Sequence, residues 1–306
     1  MNHLSSPPKK LIVIAGPTAV GKTAAAIKLA QRLKTDIISA DSRQFYREMS
    51  IGTAKPDTKE LKQARHHFID SHSIKENFTV GDFEKEALQL LDELFKTHDH
   101  VVMVGGSGLF IQAVNQGFDN LPAADPEIRE KLNQELAEKG IQHLQNKLKE
   151  VDPEYYNQVD LYNPQRLIRA LEVFEATGKS FSSYRKAATN TRSFESITIV
   201  LNLPREELYE RINQRVDIMV EQGLVEEARS LLPFRHLNAL NTVGYSELFD
   251  YFDGKTDIDA AIGMIKQNTR RFAKRQLTWF RKGRDMKWMA ADDPNLIEEI
   301  IKKVNY

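Results

Sequence analysis

Gly16-Pro17-Thr18-Ala19-Val20-Gly21-Lys22-Thr23 is the stretch from which the fold can be read. It fits the Gly-x-x-x-x-Gly-Lys-Ser/Thr phosphate loop. The run before it, Leu11 to Ala15, is short and fully apolar, as a buried strand is. The run after it, Ala24 to Leu33, has helical spacing. Strand, glycine loop and helix in that order are the context the motif needs. Gly16 and Gly21 let the backbone curl so that several amides point inward, and the helix start adds partial positive charge. Lys22 brings a full charge to phosphate oxygens, and the Thr23 hydroxyl can ligate Mg²⁺. The loop announces a diphosphate or triphosphate without saying which molecule carries it.

Working outward, Asp36 to Ala40 reads as a second strand, ending at Asp41-Ser42. Alternating strands and helices predict an α/β fold, a parallel sheet with helices on both faces. Residues just past the carboxyl ends of such strands face the ligand crevice, so Asp41 and the phosphate loop meet there. Arg43 to Pro56 is loop-like. His66 and His67 sit on opposite sides of a strand, with no ligand set around them in sequence. Val80 to Lys96 is an amphipathic helix with Thr79 as N-cap. Val101 to Val104 is a buried strand that runs into Gly105-Gly106-Ser107-Gly108. A phosphate-loop ATPase often ends such a strand in a magnesium-binding Asp; here there are small residues instead.

From Asn120 the pattern becomes helical: roughly 126–139, 141–150, and a helix opened by Asn163-Pro164 that ends near Thr177-Gly178. No strand signal lies between about 119 and 190. The expected organisation is therefore a phosphate-loop core, residues 1–118 plus 190–306, with an all-helical insertion at 119–189. Arg166 and Arg169 share a face of the last insertion helix with Gln165 beside them; they are either surface arginines or ligand contacts. Ile197 to Leu201 returns to strand. In the helix after Pro204, Arg211 and Arg215 are four apart. That spacing can grip a diphosphate, or simply partner Glu207, Glu210 or Asp217. Asn241 to Tyr245 is turn-like.

Composition sets the bounds. The 306 residues are 41% hydrophobic, enough for a real core. Lys plus Arg and Asp plus Glu are 43 each, so no global charge draws the chain to nucleic acid. A local bias exists: Lys266, Arg270, Arg271, Lys274, Arg275, Arg281, Lys282, Arg284 and Lys287 face Asp285 alone, with Phe272, Trp279 and Phe280 interleaved. Arg271 and Arg275 on such a segment suit an RNA backbone, and the aromatics suit stacking; a solvated surface helix is the plainer alternative. The absence of cysteine excludes disulfides, thiolate zinc sites and cysteine nucleophiles. Met1 to Lys10 has no apolar signal core and no run approaches ~18 apolar residues. The expectation is a cytoplasmic protein without a membrane partner, and nothing demands more than a monomer.

Taken together, the motifs resemble a family. Gly-Pro-Thr-Ala-Val-Gly-Lys-Thr at 16–23, Ser-Ala-Asp-Ser-Arg-Gln at 39–44, Ile-Gly-Thr-Ala-Lys-Pro at 51–56, Val-Gly-Gly-Ser-Gly-Leu at 104–109, Asn-Pro-Gln-Arg-Leu-Ile-Arg-Ala-Leu-Glu at 163–172 and Val-Gly-Tyr at 243–245 are similar to the bacterial tRNA dimethylallyltransferases. The resemblance covers nearly the whole chain. It implies magnesium-assisted transfer of the dimethylallyl group from dimethylallyl diphosphate to N6 of adenine 37, beside the anticodon of tRNA. It further implies diphosphate binding by Gly16 to Thr23, with Asp41, Thr18, Lys22, Arg211 and Arg215 as catalytic candidates. The implied tRNA contacts are Asp41, Ser42, Arg43, Gln44, Ser107, Gln165, Arg166, Leu167, Ile168 and Arg169, with Arg271 and Arg275. Ser107 stands where Thr is expected, and Ser246-Glu247 where a more basic or amide pair is expected. The competing readings are a small-molecule kinase on the same fold and an RNA-binding nucleotide switch.

Overall fold

The computed structural model describes residues 8–117, 121–122, 125–185, 192–283 and 285–305. β1 (Lys10–Ala15) leads through the glycine loop into α1 (Lys22–Leu33). β2 (Ile37–Ser39) leads through a loop and α2 (Thr58–Gln63) to β3 (His66–His67) and α3 (Val80–Leu94). β4 (His100–Gly105) runs into α4 (Gly108–Gln116). Then come α5 (Pro126–Lys139), α6 (Ile141–Val151), α7 (Pro153–Tyr156), α8 (Pro164–Thr177) and α9 (Phe181–Tyr184). The chain returns with β5 (Glu195–Asn202), α10 (Arg205–Glu221), α11 (Leu224–Leu231), α12 (Tyr245–Phe252), α13 (Ile258–Arg281), β6 (Met286–Ala290) and α14 (Leu296–Asn305).

All six strands are parallel, in the order β3-β2-β4-β1-β5-β6. The period-2 alternation of β1 divides the core. Ile12 and Ile14 point to one face, where α1, α10 and α14 pack on them. Leu11, Val13 and Ala15 point to the other, under α3 and α4. Both faces are covered, which is why β1 and β4 read as unbroken apolar runs. A third apolar cluster joins α10, α11, α12 and α13 around Tyr245 and Leu248.

The chain packs as two compact units, Met1–Asn115 with Arg192–Tyr306, and Gln116–Thr191. The boundaries expected at 118/119 and 189/190 lie outside the described residues. Within the second unit, Leu132, Leu144, Leu148, Leu167, Ile168 and Leu171 form the core. Its polar centre is Glu172, fully buried, held by Arg129 at 3.0 Å and Arg169 at 2.8 Å. The predicted caps are present: Asn163 accepts from the Arg166 amide, and Thr79 forms a capping box with Asp82.

Candidate active site

The phosphate loop closes on a helix start that has no side chain of its own to satisfy it. Gly21 caps α1 with φ +100° and makes no capping hydrogen bond, so the first amides of α1 are left for a ligand. Ala19, at φ +63°, occupies a left-handed conformation that costs a residue with a Cβ about 1–2 kcal/mol. Lys22 folds back so that Nζ donates to the Pro17 carbonyl at 2.7 Å.

A cavity of about 550 Å³ opens at the carboxyl edge of the sheet. The loop contributes Thr18, Lys22 and Thr23, and the segment just after β2 contributes Asp41, Ser42, Arg43 and Gln44. Ser107 enters from the turn after β4 and Arg215 from α10. Parallel β1, β2 and β4 end side by side, so a loop following each one arrives at the same place. Hydrogen bonds fix them to one another. Ser107 Oγ accepts from the Ser42 amide at 3.2 Å, and Asp41 Oδ1 accepts from the Arg43 amide at 3.0 Å. Gln44 donates to the Thr53 and Ala54 carbonyls at 3.2 and 3.1 Å. The 50–52 loop is gripped from behind: Glu227 accepts from the amides of Ser50, Ile51 and Gly52 and from the Tyr245 hydroxyl at 2.6 Å.

The electrostatics beside the phosphate loop are those of cations gathered around Asp41. Burial first, and then the neighbouring Arg215, push the Lys22 ammonium down to about 7, with Asp41 opposing. Burial also lowers Arg215 and Arg43, and Asp41 acts on both in the raising direction. Arg215 Nη1 donates to Thr18 Oγ1 at 3.3 Å, so the arginine and the loop hydroxyl share one point. Such an array suits a diphosphate whose leaving oxygen gains charge.

The two predicted arginines of α10 have different surroundings. Arg215 lines the cavity, whereas Arg211 does not and pairs with Glu207 at 2.8 Å. On α8, Leu167 and Ile168 are buried in the core of their own unit, and Arg169 is tied to Glu172 and donates to the Pro122 carbonyl. Gln165 and Arg166 are exposed. His67 engages Asp36 at 2.8 Å and His66 the Ala64 carbonyl at 2.9 Å; burial lowers His66, which favours its neutral form.

Along the basic segment, Lys266 pairs with Asp217 and Arg270 with Asn213. Arg271, Lys274, Arg275, Arg281, Lys282 and Lys287 are exposed, and Arg284 lies outside the described residues. Arg275 and Phe272 reach the cavity rim, and Trp279 is partly exposed against Gly108.

Sequence reasoning missed three groups at the cavity. Gln276 is buried on α13 in an otherwise apolar stripe with Ala273 and Phe280, and that interruption was its only signal. Glu247, read as a departure from an expected pair, is held by the Gly244 amide at 2.8 Å and Asn268 at 2.7 Å. Asn241 to Gly244, which gave only a turn signal, lines the cavity ahead of α12.

A sequence profile described as IPP transferase matches residues 44–283. The chain belongs to the IPP transferase family. It is 57% identical over 297 residues to the tRNA dimethylallyltransferase of Christiangramia forsetii, covering 96% of this chain and 98% of that one. Against the Flavobacterium johnsoniae enzyme of the same name it is 50% identical over 304 residues, covering 97% and 98%. Among solved structures, the tRNA isopentenylpyrophosphate transferase of Bacillus halodurans superposes with a TM-score of 0.70 at 38% identity, covering 97% and 95%. A eukaryotic dimethylallyltransferase described as acting on tRNA superposes with a TM-score of 0.80 at 25% identity, covering 97% of this chain and 77% of that one. In this IPP transferase the family match begins at Gln44, after β2, and spans Ser107, Arg215 and α13; the phosphate loop and Asp41 precede it.

Proposed function

We propose that this chain is a tRNA dimethylallyltransferase that moves the five-carbon group of dimethylallyl diphosphate to N6 of adenine 37 in the anticodon loop and releases pyrophosphate. The observation that carries the reading is one cavity lined by Thr18, Lys22 and Arg215 together with Asp41, whose carboxylate acts on both cations. The allylic C–O bond breaks and its electron pair leaves with pyrophosphate. The N6 lone pair forms the new C–N bond, and the N6 proton passes to Asp41. The loop amides, Lys22 and Arg215 stabilise the oxygen that gains charge. An adenine in its stack cannot reach the cavity, so the base leaves the stack. Ser42, Arg43, Gln44 and Ser107 are the proposed contacts near the everted base. Gln165, Arg166, Arg271 and Arg275 are the proposed contacts to the rest of the stem-loop.

Magnesium fits this donor set as a companion of the diphosphate. Among the described residues no three His, Asp or Glu side chains form a ligand cage, so the Thr23 hydroxyl would share the ion with phosphate oxygens and water. When bound, the ion neutralises diphosphate charge. We propose a monomer acting in the cytoplasm.

Incubation with dimethylallyl diphosphate and an anticodon stem-loop, followed by nucleoside mass analysis, tests the reading. The expected product is adenosine carrying one five-carbon unit. ATP consumption without RNA would indicate a kinase, and RNA binding without any product a nucleotide switch.

A further inference from the structure

Gln276 lies on the inner side of α13 with 7% of its surface exposed. Its amide oxygen accepts from the Thr18 amide at 2.9 Å, and its amide nitrogen donates to the Gly106 carbonyl at 3.0 Å. The two roles cannot be exchanged, because an N–H needs an acceptor and a carbonyl needs a donor. The close approach requires glycine at 106: a Cβ there would lie 2.2 Å from Gln276 Nε2. One side chain thus joins the middle of the phosphate loop to the turn after β4. Phe272 and Arg275, on the same helix, reach the cavity rim, and Arg271 is exposed beyond them.

We propose that Gln276 is a positioning residue that makes the placement of Thr18, and so of the donor loop, depend on the seating of the RNA-facing helix. The inference rests on the function proposed above. With its amide committed to Gln276, Thr18 offers the donor its hydroxyl, the atom that Arg215 already touches at 3.3 Å. A shift of α13 therefore reaches Thr18 directly, and reaches Arg215 both through Thr18 and through the contacts of Arg270 with Asn213 and Lys266 with Asp217 on α10. Coupling between two binding events is reciprocal, so RNA on α13 tightens diphosphate binding and diphosphate tightens RNA binding by the same factor.

The test compares wild type with Gln276→Ala and Gln276→Glu. For Gln276→Ala the expected fall in kcat is roughly 10–100-fold, the scale of an ångström-level misplacement. The KM for the stem-loop should move by less than about threefold, since Gln276 lies behind the RNA-facing side chains. The stem-loop should tighten pyrophosphate binding in wild type and leave it unchanged in Gln276→Ala. In Gln276→Glu, the ionised carboxylate accepts from Thr18 but repels the Gly106 carbonyl, whereas the protonated acid can serve both. Activity of Gln276→Glu relative to wild type should therefore rise as pH falls. Wild-type turnover in Gln276→Ala, a loss matched by its unfolded fraction, or a pH-independent ratio for Gln276→Glu each overturns the proposal. A wild type that makes no prenylated RNA rejects the proposed function and this inference with it; an active wild type with an unaffected Gln276→Ala rejects the inference alone.

Discussion

Lys22 sits where its own charge is costly. Its ammonium is pushed down to about 7 by burial and by Arg215, so free enzyme at pH 8 holds it mostly neutral. A bound diphosphate restores the charge, and binding at pH 8 should take up close to one proton. Calorimetry in two buffers of different ionisation enthalpy measures this; equal heats at pH 8, or equal uptake in Lys22→Arg, would contradict it. The sign for stability follows. Between about 7 and the unfolded value near 10.5 the unfolded chain binds more protons at this site, so its contribution to stability is present at high pH and is lost as pH falls through 7. Lys22→Met should remove that dependence from the thermal midpoint of the ligand-free protein. The arginines of α10 give a second contrast. Arg215→Ala should lower kcat by ~10²–10³, as loss of a donor to developing charge does, while Arg211→Ala should stay within about twofold. Steady-state rates at saturating substrates decide between them.

At the scale of elements, α13 carries exposed positive charge outside and Gln276 inside. Reversing Arg271 and Arg275 to Glu should weaken stem-loop binding and reduce its logarithmic salt slope by about 1.5, the share of two lost phosphate contacts. An unchanged slope would make this face merely solvated. In the helical unit, Glu172 binds Arg129 and Arg169 from full burial. Glu172→Ala should cost about 3 kcal/mol, the low end for a broken buried pair, because both arginines keep some solvent. Denaturant unfolding measures it.

These elements also mark how far the sequence could be read. β1 and α1 were legible from the glycine loop and the apolar spacing on either side of it, and α3 and α8 from an apolar period whose cap agreed. Arg211 and Arg215 were not separable, because four residues along a helix preserve phase. They differ by about 6 Å along the axis, four residues at ~1.5 Å each, and only Arg215 lines the cavity. The buried Leu167 and Ile168 belong to the apolar stripe of α8, so within the 165–169 stretch only Gln165 and Arg166 are exposed. Gln276 was hidden because its partners are 258 and 170 residues away, a separation no local pattern encodes.

For the molecule as a whole, a parallel sheet collects a phosphate loop, a strand-end acid, a serine turn and an arginine from four places in the chain. The fold supplies the convergence, and the absence of an acid at the end of β4 separates this edge from that of an ATPase. Among the described residues no helix is long and apolar enough to cross a membrane. The central claim is that Asp41 accepts the proton of the attacking amine beside a cation-held diphosphate. Single-turnover transfer to the stem-loop by Asp41→Ala, with both substrates' binding measured alongside, tests it most directly. The account predicts binding within about threefold of wild type and a rate lower by ~10²–10⁴, the usual worth of a general base. Transfer at the wild-type rate would contradict it.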